Sequence, residues 1–230
     1  MHCFVSMPRN ARCVLPGLPY HVTQRGSNRQ RVFYSPTDYK MYLSLIAEQL
    51  ADAECCVLAY CLMTNHVHLV VVPERADSLA VLFRRAHGRY SQYLNTRRHR
   101  SGHLWQQRYY SCPLAASHYG VALRYVEQNP CRAWMVKTPA EYRWSSAAAH
   151  LGQEKDRSGL LDMAFWEKAG GAGTWREMHG AEAASEHLLL LRRCTYAGRP
   201  FGGEEFVNQM EQHFQRSWRR WGFEKLAASA

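Results

Sequence analysis

Glu54-Cys55-Cys56-Val57-Leu58-Ala59-Tyr60-Cys61-Leu62-Met63-Thr64-Asn65-His66-Val67-His68-Leu69-Val70-Val71-Val72-Pro73 is the stretch that decides the fold. Two apolar, β-branched runs, Glu54 to Met63 and His66 to Pro73, are separated only by Thr64-Asn65, the pattern of a tight antiparallel hairpin. Side chains along a strand alternate between faces, so His66, His68, Val70 and Val72 share one face and Val67, Leu69 and Val71 the other. Apolar residues on both faces predict an interior strand. The same alternation turns two imidazoles the same way, where they can close on one metal ion.

The flanking sequence completes the pattern. Pro19 to Gln24 reads as a strand, followed by a polar loop from Arg25 to Arg31. Ser35-Pro36-Thr37-Asp38 is a helix-start signal, after which Tyr39, Tyr42, Leu43, Leu45, Ile46 and Leu50 recur at helical spacing. Asp77-Ser78 offers the cap of a second helix, reaching about Asn95, with Leu79, Leu82, Phe83, Ala86 and Tyr90 as its inner stripe. Tyr109 to Leu114 follows as a fourth strand, and Ser117 to Gln128 as a helix stopped by Pro130. Strand, helix, strand, strand, helix, strand is the split ferredoxin-like order. The expectation is therefore an α+β fold, a ferredoxin-like or RRM-like antiparallel sheet with helices on one face, plus a C-terminal helical extension.

Composition sets the limits. With 230 residues, 47% of them hydrophobic, the chain can bury a substantial core. No apolar run approaches the roughly 18 residues a membrane span needs, and the first 17 residues carry arginines and prolines where a signal peptide needs an apolar stretch. These features predict a cytoplasmic protein without a membrane partner. Met7-Pro8-Arg9 offers a more natural start than Met1, so the first six residues are expected to be an unstructured extension or the result of a mis-called start codon. The eight cysteines form no paired C-x-x-C spacing and read as small buried hydrophobes.

Charge divides the chain in two. Residues 1–150 hold 18 Lys and Arg against 8 Asp and Glu, whereas residues 151–230 hold 11 against 11, so the whole excess of +10 lies in the first part. Such an excess is the footprint of a phosphate-binding surface. Its densest portion, Arg84, Arg85, Arg89, Arg97, Arg98, Arg100 and Arg108, is interleaved with Tyr90, Tyr93, Trp105, Tyr109 and Tyr110. Arginine forks on phosphates and aromatic faces under unpaired bases suit single-stranded nucleic acid. From charge and position, Arg25, Arg29, Arg108 and Arg124 are the expected DNA contacts. The division also sets the expected domains, 7–150 catalytic and 151–230 a C-terminal helical region. In the latter, Leu161 to Ala169, Ala181 to Arg193 and about Glu204 to Arg216 read as helices, separated by a polar Gly152 to Gly159 linker and a break at Gly170-Gly171-Ala172-Gly173.

The helix before Pro130 supplies the remaining chemistry. Tyr125 and Asn129, four apart, are expected on one helix face about 6 Å from each other at Cβ. A phenol can attack a phosphodiester and hold the broken strand as a phosphotyrosine, conserving the bond for rejoining. Two imidazoles and the Asn129 amide oxygen would leave open positions on a cation for water and phosphate. Each residue alone has a plainer explanation, in that sheet histidines often only hydrogen-bond, tyrosines are often core, and Asn before Pro often ends a helix. Their conjunction makes the case.

Several spaced motifs carry a family resemblance: Met7-Pro8-Arg9, Pro19 to Gly26, Met63 to Leu69, Gly102-His103-Leu104-Trp105-Gln106-Gln107-Arg108-Tyr109, Tyr125-Val126-Glu127-Gln128-Asn129-Pro130 and Trp144-Ser145-Ser146. In these, residues 7–150 resemble the REP-associated tyrosine transposases, an IS200-like branch of the HUH single-strand transposase superfamily. The resemblance implies His66 and His68 as metal ligands, Asn129 as a third ligand and Tyr125 as nucleophile. It further implies a divalent ion, Mg or Mn, and as partner single-stranded or hairpin DNA of the REP palindromic type, cut and rejoined by a monomer or homodimer. Two other readings remain open in the residues: a non-catalytic hairpin-binding regulator, and a metal-dependent DNA hydrolase in which Tyr125 merely packs.

Overall fold

The structure, a computed structural model, describes residues 12–180 and 185–218; Met7-Pro8-Arg9 and residues 219–230 lie outside them. Strands β1 (Tyr20–Arg25), β2 (Cys55–Met63), β3 (His66–Pro73) and β4 (Tyr110–Pro113) form one antiparallel sheet in the order β2-β3-β1-β4. Helices α1 (Pro36–Ala53) and α2 (Ser78–Arg97) complete the expected ferredoxin-like unit. Then follow α3 (Tyr119–Glu127), α4 (Asn129–Arg132), α5 (Ala147–His150), α6 (Met163–Lys168), α7 (Gly171–Gly180), α8 (Ser185–Ala197) and α9 (Glu204–Phe214).

The sheet separates two cores. On one side Tyr20, Val22, Val67, Leu69 and Val71 meet Tyr42, Leu45 and Ile46 of α1 and Leu79, Leu82 and Phe83 of α2. On the other, Val70, Cys61, Met63 and Cys112 meet Leu123 and Val126 of α3, with Trp175, Leu191, Cys194 and Phe201 from the C-terminal helices and the segment between them. A fully buried Val or Leu contributes about 1.5–3 kcal/mol, so each face is a substantial stabilising layer. A bulge in β2 keeps these faces distinct. Val57 pairs with Val71 but Ala59 with Val70, so Cys55 and Val57 before the irregularity, and Tyr60 and Leu62 after it, all face α1 and α2. Cys61 and Met63 thereby join the imidazole face.

Three differences from the sequence reading have physical causes. First, the helix expected over Ser117 to Gln128 does not carry Asn129 on one continuous face with Tyr125. Pro130 has no N–H to continue the ladder, but it fits the first turn of a helix, so α3 closes at Glu127 and α4 opens at Asn129. Second, the break at Gly170-Gly171-Ala172-Gly173 is confined to Gly170 and Gly171, both at positive φ, and α7 runs from Gly171 onward. Trp175 anchors α7, 3% exposed, with its indole N–H donating to Glu127 at 2.9 Å. Third, the arginine and aromatic stretch divides. Tyr90, Trp105 and Tyr109 are buried in the α1/α2 core, while Arg85, Arg89 and Arg97 pair with Asp52, Glu48 and Asp38 of α1. That stretch is a helix–helix contact, because aromatic residues at helical spacing bury themselves before they can serve as a stacking platform.

The C-terminal elements bind tightly to the sheet unit. Buried Glu127 of α3 accepts from Ser146 at 2.5 Å, His150 of α5 at 2.5 Å, and Trp175 and His179 of α7 at 2.9 and 2.8 Å. Burial works to raise its carboxyl, but His150 and His179 opposite bring it down to about 2. Phe201 exchanges backbone hydrogen bonds with Pro113 and Ala115 beside β4, and Leu161 bridges to Val57 of β2. Trp144 and Ser146 make backbone hydrogen bonds with Leu62 and Tyr60 along the same outer strand. Among the described residues no helix is long and apolar enough to cross a membrane.

Candidate active site

The central strands place the polar residues. Thr23 lies opposite His68 and Arg25 opposite His66 in the β1/β3 register, while Cys112 and Tyr110 of β4 lie opposite His21 and Thr23. Directly opposed residues of an antiparallel pair share a face, so His21, Thr23, Arg25, His66, His68 and Tyr110 form one polar patch. Burial drives the imidazoles down, His66 to about 4 with Arg25 adding to the effect, and His21 to about 3 with Arg132 adding to it. His68 is lowered as well, by burial first and then by His66, His21, Arg132 and Arg25. All three rings are therefore neutral near pH 7, the form that offers a lone pair to a cation.

His66 and His68 stand 5.0 Å apart between ring centroids, nearly perpendicular. Nδ1 of His66 lies 2.6 Å from the Asn65 side-chain oxygen, which can only accept from it, so Nε2 of His66 carries the lone pair. Nδ1 of His68 meets Nε2 of His21 at 2.9 Å, and those two rings are almost parallel, with centroids 5.2 Å apart. Parallel planes at that separation and that N···N distance describe two coplanar rings joined edge to edge rather than face to face.

Tyr125 of α3 packs perpendicular to both of these rings, 5.6 Å from His68 and 5.5 Å from His21. The Arg132 guanidinium carbon sits 4.2 Å from the centre of the Tyr125 ring, and its Nη2 donates to the Tyr125 carbonyl. Burial pushes the phenol above its ordinary value, while Arg132, Arg192 and Arg25 pull it the other way. Positive charge from three separate segments thus opposes the effect of burial on this phenol.

Next to the patch lies a cleft of about 550 Å³, lined by Thr23, Arg25, Asn28, Arg29, Gln106, Tyr110 and Tyr196. Tyr110 and Tyr196 meet edge to face at 5.0 Å, and Tyr196 is 45% exposed. Of the arginines expected from sequence, Arg25 and Arg29 line this cleft. Arg108 is exposed but outside it, and Arg124 is buried and donates to the Met178 carbonyl of α7 at 2.9 Å.

Asn129 is buried at the start of α4, and its Nδ2 finds no hydrogen-bond partner among the described residues. No hydrogen bond joins it to His66 or His68. An amide whose two ends are distinguished only by their partners, one of them orphaned, fits a missing ligand atom at that position. Among the described residues no three His, Cys, Asp or Glu side chains are grouped to hold a metal ion, so a cation here would rest on the two imidazoles, an amide and non-protein oxygens. Sequence reasoning missed His21, Arg132, Arg192, Thr195 and Tyr196. His21 was legible in principle, because a polar residue between Tyr20 and Val22 on a buried strand must face something polar. Arg192, Thr195 and Tyr196 come from α8, which no local pattern ties to the sheet.

A ferredoxin-like sheet bearing paired imidazoles, with a helix-borne tyrosine against them, is the arrangement of an HUH tyrosine nuclease. Family comparison agrees: residues 15–129 match the model of the IS200-like transposases, and the chain belongs to that family. It is an enzyme of the HUH tyrosine type, acting in DNA transposition. Among solved structures, a REP-associated tyrosine transposase bound to a REP hairpin aligns with a TM-score of 0.56 at 19% identity, over 68% of this chain and 90% of that one, and shows the fold. A candidate transposase from Deinococcus radiodurans R1 aligns with a TM-score of 0.37 at 18% identity, over 52% and 96%. No curated protein matches the chain.

Proposed function

We propose that this enzyme nicks and rejoins single-stranded DNA beside a REP-type hairpin, with Tyr125 as nucleophile. The observation that carries the reading is the Tyr125 ring set perpendicular to His68 at 5.6 Å, with three arginines acting on the same phenol. The phenolic oxygen forms a bond to phosphorus as the bridging P–O bond to the neighbouring sugar breaks. One strand end leaves as a hydroxyl and the other stays as a phosphotyrosine, while the phenol proton passes to water. Attack by a sugar hydroxyl on that phosphotyrosine reverses the step and rejoins the strand.

His66, His68 and Asn129 would hold a divalent cation, Mg or Mn, which when bound supplies Lewis-acid polarisation of a non-bridging phosphate oxygen. Arg132 and Arg192 stabilise negative charge at the phenol, and Arg25 and Arg29 hold the phosphates of the strand entering the cleft. Tyr110 and Tyr196 offer faces on which an unpaired base stacks. Arg124 is committed to α7 and takes no part in this.

A labelled hairpin oligonucleotide incubated with the protein and Mn or Mg tests the reading. A covalent adduct that disappears in Tyr125→Phe is the expected result. Cleavage that survives this substitution identifies a hydrolase, and tight binding without cleavage identifies a regulator. His68→Ala should abolish cutting while hairpin affinity stays within about threefold, because phosphate contacts from arginines supply most of the binding.

A further inference from the structure

We infer that Thr195, on the C-terminal helix α8, sets the tautomer of His68 through His21 and so presents the Nε2 lone pair of His68 to the cation site. The inference rests on the reading of His68 as a cation ligand and adds one positioning residue, Thr195, from a part of the chain outside the family match, which ends at residue 129.

The argument follows the hydrogens. Thr195 Oγ1 lies 2.8 Å from the Leu191 carbonyl, 2.7 Å from Nδ1 of His21 and 3.3 Å from Sγ of Cys112. A hydroxyl carries one hydrogen, and the Leu191 carbonyl can only accept, so Thr195 donates there and must accept from His21. The Cys112 thiol can add a second donor to the same oxygen. A neutral imidazole has one N–H. With that hydrogen on Nδ1, Nε2 of His21 is an acceptor, and across 2.9 Å it can be satisfied only by an N–H on Nδ1 of His68. The hydrogen of His68 is then fixed on the inner nitrogen, and its outer nitrogen, Nε2, is left with a lone pair.

The opposite polarity has the opposite consequence. If Thr195 donated to His21, every bond of the chain would reverse, the Leu191 carbonyl would lose its hydroxyl partner, and the hydrogen of His68 would sit on Nε2, where it blocks a cation. All members of the chain are enclosed: His21 and Thr195 are 1% exposed, His68 5%, and Cys112 fully buried. Bulk water does not reach these residues, so the fold sets the direction of the chain. Ligand imidazoles whose other nitrogen is held this way bind more tightly, and loss of such an outer partner typically weakens binding about ten- to hundredfold.

Two measurements on the full chain test this. Long-range proton–nitrogen correlation spectra of the metal-free, histidine-labelled protein read each tautomer directly, without any cation. The expected result is a hydrogen on Nδ1 in both His21 and His68. A hydrogen on Nε2 of His68 in the unaltered protein overturns the inference, whatever any variant does. Thr195→Val should let the His68 signal shift toward the Nε2–H form and weaken Mn(II) binding, read by titration, about tenfold or more. Thr195→Ser, which keeps the hydroxyl, should restore both. An unchanged His68 tautomer in Thr195→Val overturns the inference as well. Failure of the unaltered protein to bind Mn(II), with its tautomers as described, would instead sink the cation reading of the site and leave the hydrogen-bond chain standing.

Discussion

The two faces of the sheet use the same strands for opposite ends. Toward α1 and α2 the strands present Tyr20, Val22, Val67, Leu69 and Val71, and several polar groups there are closed off, as Tyr90 is by the Val32 carbonyl at 2.6 Å, although the buried Tyr109 hydroxyl finds no partner among the described residues. Toward α3 and α8 the same strands present three imidazoles, a threonine and an arginine, against a phenol whose hydroxyl makes no hydrogen bond to a described residue. The first face is held mainly by hydrophobic packing. The second carries the polar patch together with, among the described residues, an unpartnered Nδ2 on Asn129 and an unpartnered Nε on Arg25, donors left for something else to satisfy. Period-two alternation lets one strand stabilise the fold and furnish the chemistry at once, because neither task has to compromise the other.

The sharpest way to break this contrast is to make one substitution on both sides. Tyr125→Phe should reduce adduct formation to the detection limit while leaving the melting temperature within about 2 °C, since no hydrogen bond is lost. Tyr90→Phe should leave cleavage unchanged but cost about 1–3 kcal/mol in urea unfolding, because the buried Val32 carbonyl loses its donor. Equal effects of the two substitutions on either readout would erase the distinction.

The attachment of the second face comes next. Glu127→Gln removes the charge on which Ser146, His150, Trp175 and His179 converge and sets an amide N–H₂ against donors. A loss of about 3 kcal/mol or more is expected in equilibrium unfolding.

Acid should then reveal what the faces share. His87, beside Tyr42 on the first face, is driven down to about 3 by burial, as His21 is on the second, and His66 goes to about 4. Unfolded, each imidazole takes up a proton near pH 6.5, so between about 6.5 and 3 the unfolded chain binds more protons than the folded one. Stability is fully present above pH 6.5 and should drain by a few kcal/mol as the pH falls through that window. Urea midpoints in metal-free buffer measure it, and His87→Gln should flatten the profile as much as His21→Gln. The smallest effect is expected outside both faces. Trp134 follows α4 at φ 56 and is 94% exposed, so Trp134→Gly should raise stability by up to about 1 kcal/mol by relieving a left-handed backbone.

What could be read from the chain follows from where each constraint lives. The hairpin, the two long helices and the shared face of His66 and His68 were legible because alternation and capping are local, and Ser35 is capped by Asp38 as its sequence signal predicts, with a 2.8 Å hydrogen bond to the backbone. The expected pairing of Tyr125 with Asn129 rested on their spacing alone, and Pro130 divides the helix assumed to carry both. The bulge at Val57 and Ala59 was hidden, because the apolar run through it reads the same with either parity. The α8 contributions were hidden for a different reason. Contacts such as His21 to Thr195 span 174 residues of sequence, and only the folded sheet brings them together.

The segments that run along the outer strands have one further consequence. Phe201 occupies the free rim of β4, and Trp144, Ser146 and Leu161 occupy positions along β2. An open rim of unsatisfied amides is an invitation for a neighbouring molecule to add a strand and grow into a fibre. Here parts of both rims are already claimed from within, which leaves a neighbouring copy fewer open amides on which to add a strand.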